Sequence, residues 1–225
     1  MSNHKSINNQ PINVAIAGLG FGEKVHLPAI NSNKGFNLVA LWNRKKNRLE
    51  ELCEKYQLRG YTDWNELIGN NDIEAIIIAT PPEPRYELAL EALKRGKHLL
   101  LEKPVCLNAT QVNSLNRLAI KNRLSVAVDF EYRAVPLFMQ AKNLIEKGEI
   151  GDPWLVKFDW LMSSRADANR AWNWYSEKER GGGVLGALGT HAFDILHWLI
   201  GPTVTINSTL STAIKERPEI ETGKK

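Results

Sequence analysis

The chain has 225 residues, 43% of them hydrophobic and 24% charged, which is enough apolar content for a packed core beneath an ordinary charged surface. No apolar run approaches the roughly 20 residues of a membrane span, and residues 1–11 are polar and lack the apolar stretch of a signal peptide, so a cytoplasmic protein is expected. The net charge of +4 is dispersed apart from Arg44, Lys45, Lys46 and Arg48, one short cluster that makes a poor case for nucleic-acid binding.

From residue 13 to about 124, short β-branched runs alternate with amphipathic stretches, the pattern of βαβ units around a parallel sheet. Strands are predicted at 14–17, 37–42, 75–79, 98–101 and 125–130. The first runs straight into Gly18-Leu19-Gly20-Phe21-Gly22. A helix over 86–95 places Leu88, Ala89, Ala92 and Leu93 on one side and ends at Gly96; a second over 111–121 does the same with Val112, Leu115, Leu118 and Ala119.

After Tyr132 the grammar changes to a helix over 136–147 stopped by Gly148, a strand at 154–160, and a polar stretch rich in Arg, Asn and Trp. A helix over about 183–200, a strand at 203–212 and a polar tail from Ile214 complete the chain. The fold class expected is α/β: a doubly wound, parallel Rossmann-type sheet over residues 1–130, followed over 131–225 by the start of an α+β domain with an antiparallel sheet. Cys53, in a charged helical stretch, and Cys106 have no CxxC spacing, so neither a disulfide nor a metal site is expected; Cys106 reads as packing.

Chemistry concentrates where strands end, because open α/β sheets bind ligands at the carboxyl ends of their strands. Gly18 and Gly20 suit the tight bend and the close backbone approach that a pyrophosphate needs, and the turn Gly18, Gly20, Phe21 and Gly22 is expected to hold a dinucleotide. Gly22 comes one residue before the third glycine of a GxGxxG pattern, where Glu23 stands; the alternative is a glycine-rich turn without a ligand. At the end of the second strand, where a carboxylate would accept from the ribose hydroxyls of NAD, the chain has neutral Asn43 and then Arg44, whose guanidinium can fork around a 2′-phosphate. NADP is therefore expected over NAD, the alternative being a solvated basic face. In HLLLEKPVCLN, residues 98–108, Glu102 and Lys103 stand where a strand meets a loop, either as site residues or as a surface ion pair.

Four segments taken in order, VAIAGLGFG at 14–22, IIIATPPEPRYELALEALKRGKHLLLEKP at 76–104, FEYR at 130–133 and GGGVLGALGTHAFDILHWLIG at 181–201, resemble the landmarks of the Gfo/Idh/MocA oxidoreductases along nearly the whole chain. The resemblance implies hydride transfer between a nicotinamide cofactor and a sugar, polyol or related hydroxyl compound. It implies Thr80 and Pro81 beside the nicotinamide ribose, Lys103 as the acid/base group with Glu102 orienting it, and both on the cofactor side. It further implies His191 at the substrate, with Asp194 on the same helix face. Polyol-dehydrogenating members commonly carry an aspartate four residues before this histidine; Ala187 stands there, and Asp194 is expected to substitute in part. Arg165, Arg170, Trp172 and Trp174 either line a sugar pocket or, for the aromatic residues, simply cover the sheet, and Arg85, where the family often has histidine, is expected not to matter for catalysis. A truncated member is expected, homo-oligomeric in its full-length form. The competing reading is a non-catalytic nucleotide-binding module or an inactive fragment.

Overall fold

The computed structural model describes residues 10–219; the polar start and the end of the polar tail, at 1–9 and 220–225, lie outside the described residues. The chain divides into a unit ending at Asp129 and a unit beginning at Phe130.

The first unit is built on strands β1 (Ile12–Ala17), β2 (Phe36–Trp42), β3 (Arg59–Tyr61), β4 (Ala75–Ile78), β5 (His98–Leu101) and β6 (Val126–Val128). They form one sheet in the order β3-β2-β1-β4-β5-β6, every pairing parallel. The order reverses beside β1, between β2 and β4, which is the place where doubly wound sheets open a crevice at their strand ends. Helices α1 (Leu27–Asn31), α2 (Lys46–Tyr56), α3 (Trp64–Gly69), α4 (Pro82–Lys94) and α5 (Ala109–Asn122) connect the strands, with a wide π-helical turn, Gly22–His26, leading into α1. β3 escaped the sequence reading because three residues are too few to show a period of two.

The alternation of side chains along each strand divides the core between the two faces of the sheet. In β1, Ala15 and Ala17 pack with Ile76, Ile78, Leu99 and Leu101 beneath α4 and α5, whereas Val14 and Ile16 pack with Leu38, Leu41 and Ile77 against α1 and α2. Burying each such branched side chain contributes about 1.5–3 kcal/mol. Polar anchors set the ends of these elements. Asn108 caps α5 by accepting from the Gln111 N–H at 3.0 Å. The Lys97 ammonium, buried at the entry to β5, donates to the carbonyls of Asn70 and Ile73 at 2.7 Å each.

The second unit contains α6 (Pro136–Glu146) and α7 (Thr190–Leu199), with a π-helical turn, Leu185–Gly189, running into α7 and short 3-10 turns between them. The expected antiparallel sheet is not shown among the described residues: no strand follows β6 there, and 154–160 and 203–212 carry no ladder. Trp154 is 91% exposed and Val204 96% exposed, so no layer covers these two side chains among the described residues. A strand exists only through an edge that accepts it, and apolar patterning reports side chains without reporting an edge. None of the described helices is long and apolar enough to cross a membrane.

Candidate functional site

The turn after β1 is shaped by three glycines with different duties. Gly18 has φ +97°, and a Cβ there would lie 2.8 Å from the Ala79 carbonyl group, so β1 and β4 can approach this closely only without a side chain. Its N–H donates to the Trp42 carbonyl at 3.1 Å, which ties the turn to β2. A Cβ on Gly22 would meet Ile16 Cγ2 at 2.7 Å, so Gly22 takes the helix-on-strand packing duty one residue earlier than the GxGxxG spacing places it. Glu23, at the expected third position, pairs with Arg48 of α2. Gly20 has nothing within 4 Å of its absent Cβ, which leaves the space over the turn free for a phosphate group. Phe21 is 47% exposed and sets its ring edge-on to that of His26.

At the end of β2, the Asn43 side-chain oxygen accepts from the Lys45 N–H at 3.0 Å, so Asn43 shapes the bend. Arg44 is exposed and borders an open groove with Trp42, Thr62, Trp64 and Glu87.

Three further strand ends bring polar groups together. Thr80 is buried, and its Oγ1 has no hydrogen-bond partner among the described residues; Pro81 precedes α4. Arg85, in the first turn of α4 and only 2% exposed, donates to the carbonyls of Thr80, Glu102 and Pro104. One guanidinium thus fastens the loop after β4 to the loop carrying Lys103. Glu102 is buried, with Oε1 at 2.9 Å from His26 Nε2 and Oε2 accepting from the Lys103 N–H at 3.2 Å. Asp129, directly after β6, places Oδ2 at 3.8 Å from the same His26 nitrogen. Polar atoms of His26, Glu102 and Asp129 all lie within 4.8 Å of one another. Burial pushes the Asp129 carboxyl above the usual range, the charge of Glu102 adds to this, and His26 and Lys103 oppose it. Lys103 is half-buried. Cys106 packs in the core, with burial pushing its thiol up to about 11.

In the second unit the segment FEYR surrounds one face of α7. His191, 3% exposed, meets the rings of Phe130, Tyr132 and Trp160 at 5.9, 4.9 and 6.0 Å. Glu131 Oε1 stands 3.6 Å from His191 Nε2. Asp194, expected as the histidine's partner, instead gives both oxygens to Arg133, at 2.8 and 2.6 Å. In the polar stretch, the Arg165 guanidinium lies 4.1 Å above the Tyr175 ring, Trp174 stacks on Tyr175 at 3.8 Å, and the Trp172 backbone N–H donates to the Pro218 carbonyl at 2.8 Å. Arg170 is half-buried within the same stretch.

Within the first unit, then, the glycine turn, Thr80, Glu102 and Lys103 gather at adjoining strand ends, and within the second His191 and Asp194 share a face of α7. Reading the sequence missed His26, Asp129, Glu131 and Arg133. The signals available were a histidine in the first helix after the glycine turn, an aspartate ending the sixth strand, and the charged pair inside FEYR.

A family profile described as oxidoreductase family, NAD-binding Rossmann fold, matches residues 12–130, and the GFO/IDH/MocA C-terminal domain profile matches residues 138–223. An uncharacterized oxidoreductase of Synechocystis is 42% identical over 209 residues, covering 92% of this chain and 56% of its relative. Levoglucosan dehydrogenase of Pseudarthrobacter phenanthrenivorans is 32% identical over 219 residues, covering 93% and 56%. Among solved structures, an oxidoreductase domain protein from Kribbella flavida superposes with TM-score 0.88 at 27% identity, over 94% of this chain and 58% of the other. A levoglucosan dehydrogenase in complex with NADH and levoglucosan gives 0.82 at 28%, over 93% and 60%. The chain spans a little over half the length of the curated relatives it matches.

Proposed function

From membership of the Gfo/Idh/MocA family of NAD-binding oxidoreductases, to which this chain belongs, we propose that it is the cofactor-binding and acid/base part of a dehydrogenase or reductase acting on a sugar, polyol or related hydroxyl compound. The observation that carries this reading is the common placement of the open glycine turn after β1 and of Lys103 after β5 at the carboxyl ends of one parallel sheet. The residues fit a dinucleotide: Gly18 and Gly22 have no room for a side chain, Gly20 leaves its space open, and Thr80 Oγ1 has no hydrogen-bond partner among the described residues.

Gly18, Gly20, Phe21 and Gly22 hold the pyrophosphate, Arg44 the 2′-phosphate of NADP, and Thr80 and Pro81 the nicotinamide ribose side. When bound, the nicotinamide supplies the hydride acceptor or donor. Lys103 takes the hydroxyl proton in its amine form and returns it in its ammonium form. Glu102 orients it through the Lys103 N–H. His191, held by three aromatic rings, contacts the substrate, with Glu131 standing where a carboxylate partner is needed. Asp194 serves through Arg133. A homo-oligomeric, cytoplasmic enzyme belongs to the same reading. The levoglucosan dehydrogenase relative favours an anhydro-sugar among the hydroxyl compounds to be screened.

Calorimetric titration with NADPH and NADH tests the cofactor assignment. One charge-assisted contact to the 2′-phosphate contributes about 1.5–3 kcal/mol, so NADPH should bind roughly tenfold to over a hundredfold more tightly. That preference should vanish in Arg44→Ala. Equal affinity for the two cofactors in the unaltered chain would leave NAD as the partner. A screen of sugars and polyols, levoglucosan included, then identifies turnover, which Lys103→Met should lower by roughly 10² to 10⁴.

A further inference from the structure

The strands β5 and β6 run in register, Leu101 opposite Val128, so the next residues of each, Glu102 and Asp129, emerge side by side. The Asp129 N–H donates to the Leu101 carbonyl at 2.9 Å and continues the ladder by one rung. Neighbouring parallel strands lie about 4.8 Å apart, and two carboxyl groups held that close cannot both ionise cheaply. The third member comes from a different element. His26, at the end of the π-helical turn, is 5% exposed, covered on one side by Phe21, and turns Nε2 toward both carboxyls. Glu102 also holds the N–H of Lys103, so the cluster is attached directly to the backbone that carries the lysine. The groups facing Asp129 are therefore the His26 imidazole and the Glu102 carboxyl, and Lys103 follows Glu102 on the same loop.

We propose that His26, Glu102 and Asp129 form one proton-sharing cluster behind Lys103, in which Asp129 is a positioning residue that sets the charge seen by the lysine amine. The inference rests on Lys103 being the acid/base group of the proposed reaction. Ionising Asp129 adds a negative charge at the strand ends that carry Lys103, so the ammonium then gives up its proton less readily. His26 fixes the orientation of Glu102 through the 2.9 Å contact of Nε2 with Oε1, and it is a positioning residue in the same sense. A histidine in that place ties the helix after β1 to the strand ends of β5 and β6, and so links the glycine turn to the lysine loop.

The test needs no turnover. Lysines of the whole chain are dimethylated with ¹³C-formaldehyde, the Lys103 signal is identified by its absence in Lys103→Arg, and its midpoint is followed by NMR against pH. Asp129→Asn should lower that midpoint by about one pH unit, the size expected for loss of an opposite charge at close range. Because coupling between two titrating groups is reciprocal, Lys103→Met should raise the Asp129 carboxyl midpoint, read from its ¹³C shift, by the same amount. His26→Gln should raise it as well. A role confined to folding would change the unfolding temperature and leave these midpoints in place. If Asp129→Asn does not fold, Lys103→Met and His26→Gln still decide the matter through the carboxyl signal. Midpoints unmoved in the folded variants would overturn the proposal. So would stoichiometric Zn²⁺ binding by the unaltered chain that Asp129→Asn abolishes, since a bound cation displaces the shared proton. NADPH titration of the same samples reports separately on the cofactor reading, so a failure there is distinguished from a failure of the cluster.

Discussion

Arg133 and Asp194 form a two-bond pair within the second unit, with Nε to Oδ2 at 2.8 Å and Nη2 to Oδ1 at 2.6 Å. The carboxylate is the buried member, 7% exposed against 49% for the arginine side chain. That asymmetry turns a contact between the FEYR segment and α7 into a stability argument. Removing Arg133 strands a buried negative charge, whereas neutralising Asp194 leaves a guanidinium that water can still reach. Arg133→Met should therefore cost about 2 kcal/mol, a figure reduced for the arginine's exposure, and Asp194→Asn about 1 kcal/mol. Urea unfolding of both variants and of the double variant measures the coupling. Equal losses would mean that the pair is solvated on both sides.

The glycines of the turn after β1 should separate stability from binding. Gly18→Ala puts a methyl against Ala79 in a left-handed backbone and should destabilise the first unit by about 2 kcal/mol or more. Gly20→Ala meets nothing among the described residues and should change stability by less than about 0.5 kcal/mol. It should nevertheless weaken NADPH binding at least tenfold, about 1.4 kcal/mol, by filling the space over the turn. Thermal melts and calorimetry on the two variants check this; a Gly20→Ala chain that binds like its parent would place the phosphates elsewhere.

Arg85 carries more than its position in the sequence suggests. Its guanidinium satisfies three carbonyls from two loops while almost wholly buried, so Arg85→Met leaves those carbonyls unpaired and should cost about 3 kcal/mol. Arg85→Lys, which keeps the charge but loses the planar fork, should recover only part of this. Hydrogen exchange should rise selectively at the amides of Thr80, Glu102, Lys103 and Val105 in both variants. Exchange that rises evenly across the sheet instead would show that Arg85 contributes to general packing and not to the two loops.

Asp129 should leave a signature in the pH dependence of stability. Its folded carboxyl holds its proton more tightly than in the unfolded chain, by burial first and the Glu102 charge second. The stabilisation this brings is fully present below the unfolded value, about 3.9, and is lost as pH rises through the raised folded value. Asp129→Asn, which cannot ionise, should remove that decline, so its stability relative to the parent should improve from pH 4 to pH 7. Unfolding free energies at a series of pH values read the difference, and parallel curves for the two chains would contradict it.

Much of the first unit was legible because its signals are local. The short apolar runs from Val14 to Ala17 and from Ala75 to Ile78, the glycines at the end of β1, and Gly96 after α4 are each produced by a few adjacent residues obeying one backbone geometry. The same holds for Lys103, whose place at a strand end follows from the run before it. The second unit shows where such signals stop. Residues 154–160 and 203–212 have the apolar content of strands but no edge among the described residues to pair with, and pairing is a property of two segments.

The site divides along the same line. The sequence alone determined that a glycine turn and a lysine lie at the ends of strands in one parallel sheet, because both stand next to the strands that carry them. Only the tertiary structure decided which groups surround them. His26 and Glu102 are 76 positions apart, and Arg133 and Asp194 are 61 apart. No periodicity or spacing reports such distances. They are set by the parallel pairing of β1, β4 and β5, which brings the turn after β1 to the end of β5, and by the packing of α7 against the FEYR turn, where burial makes each charge seek the partner that the fold has brought within reach.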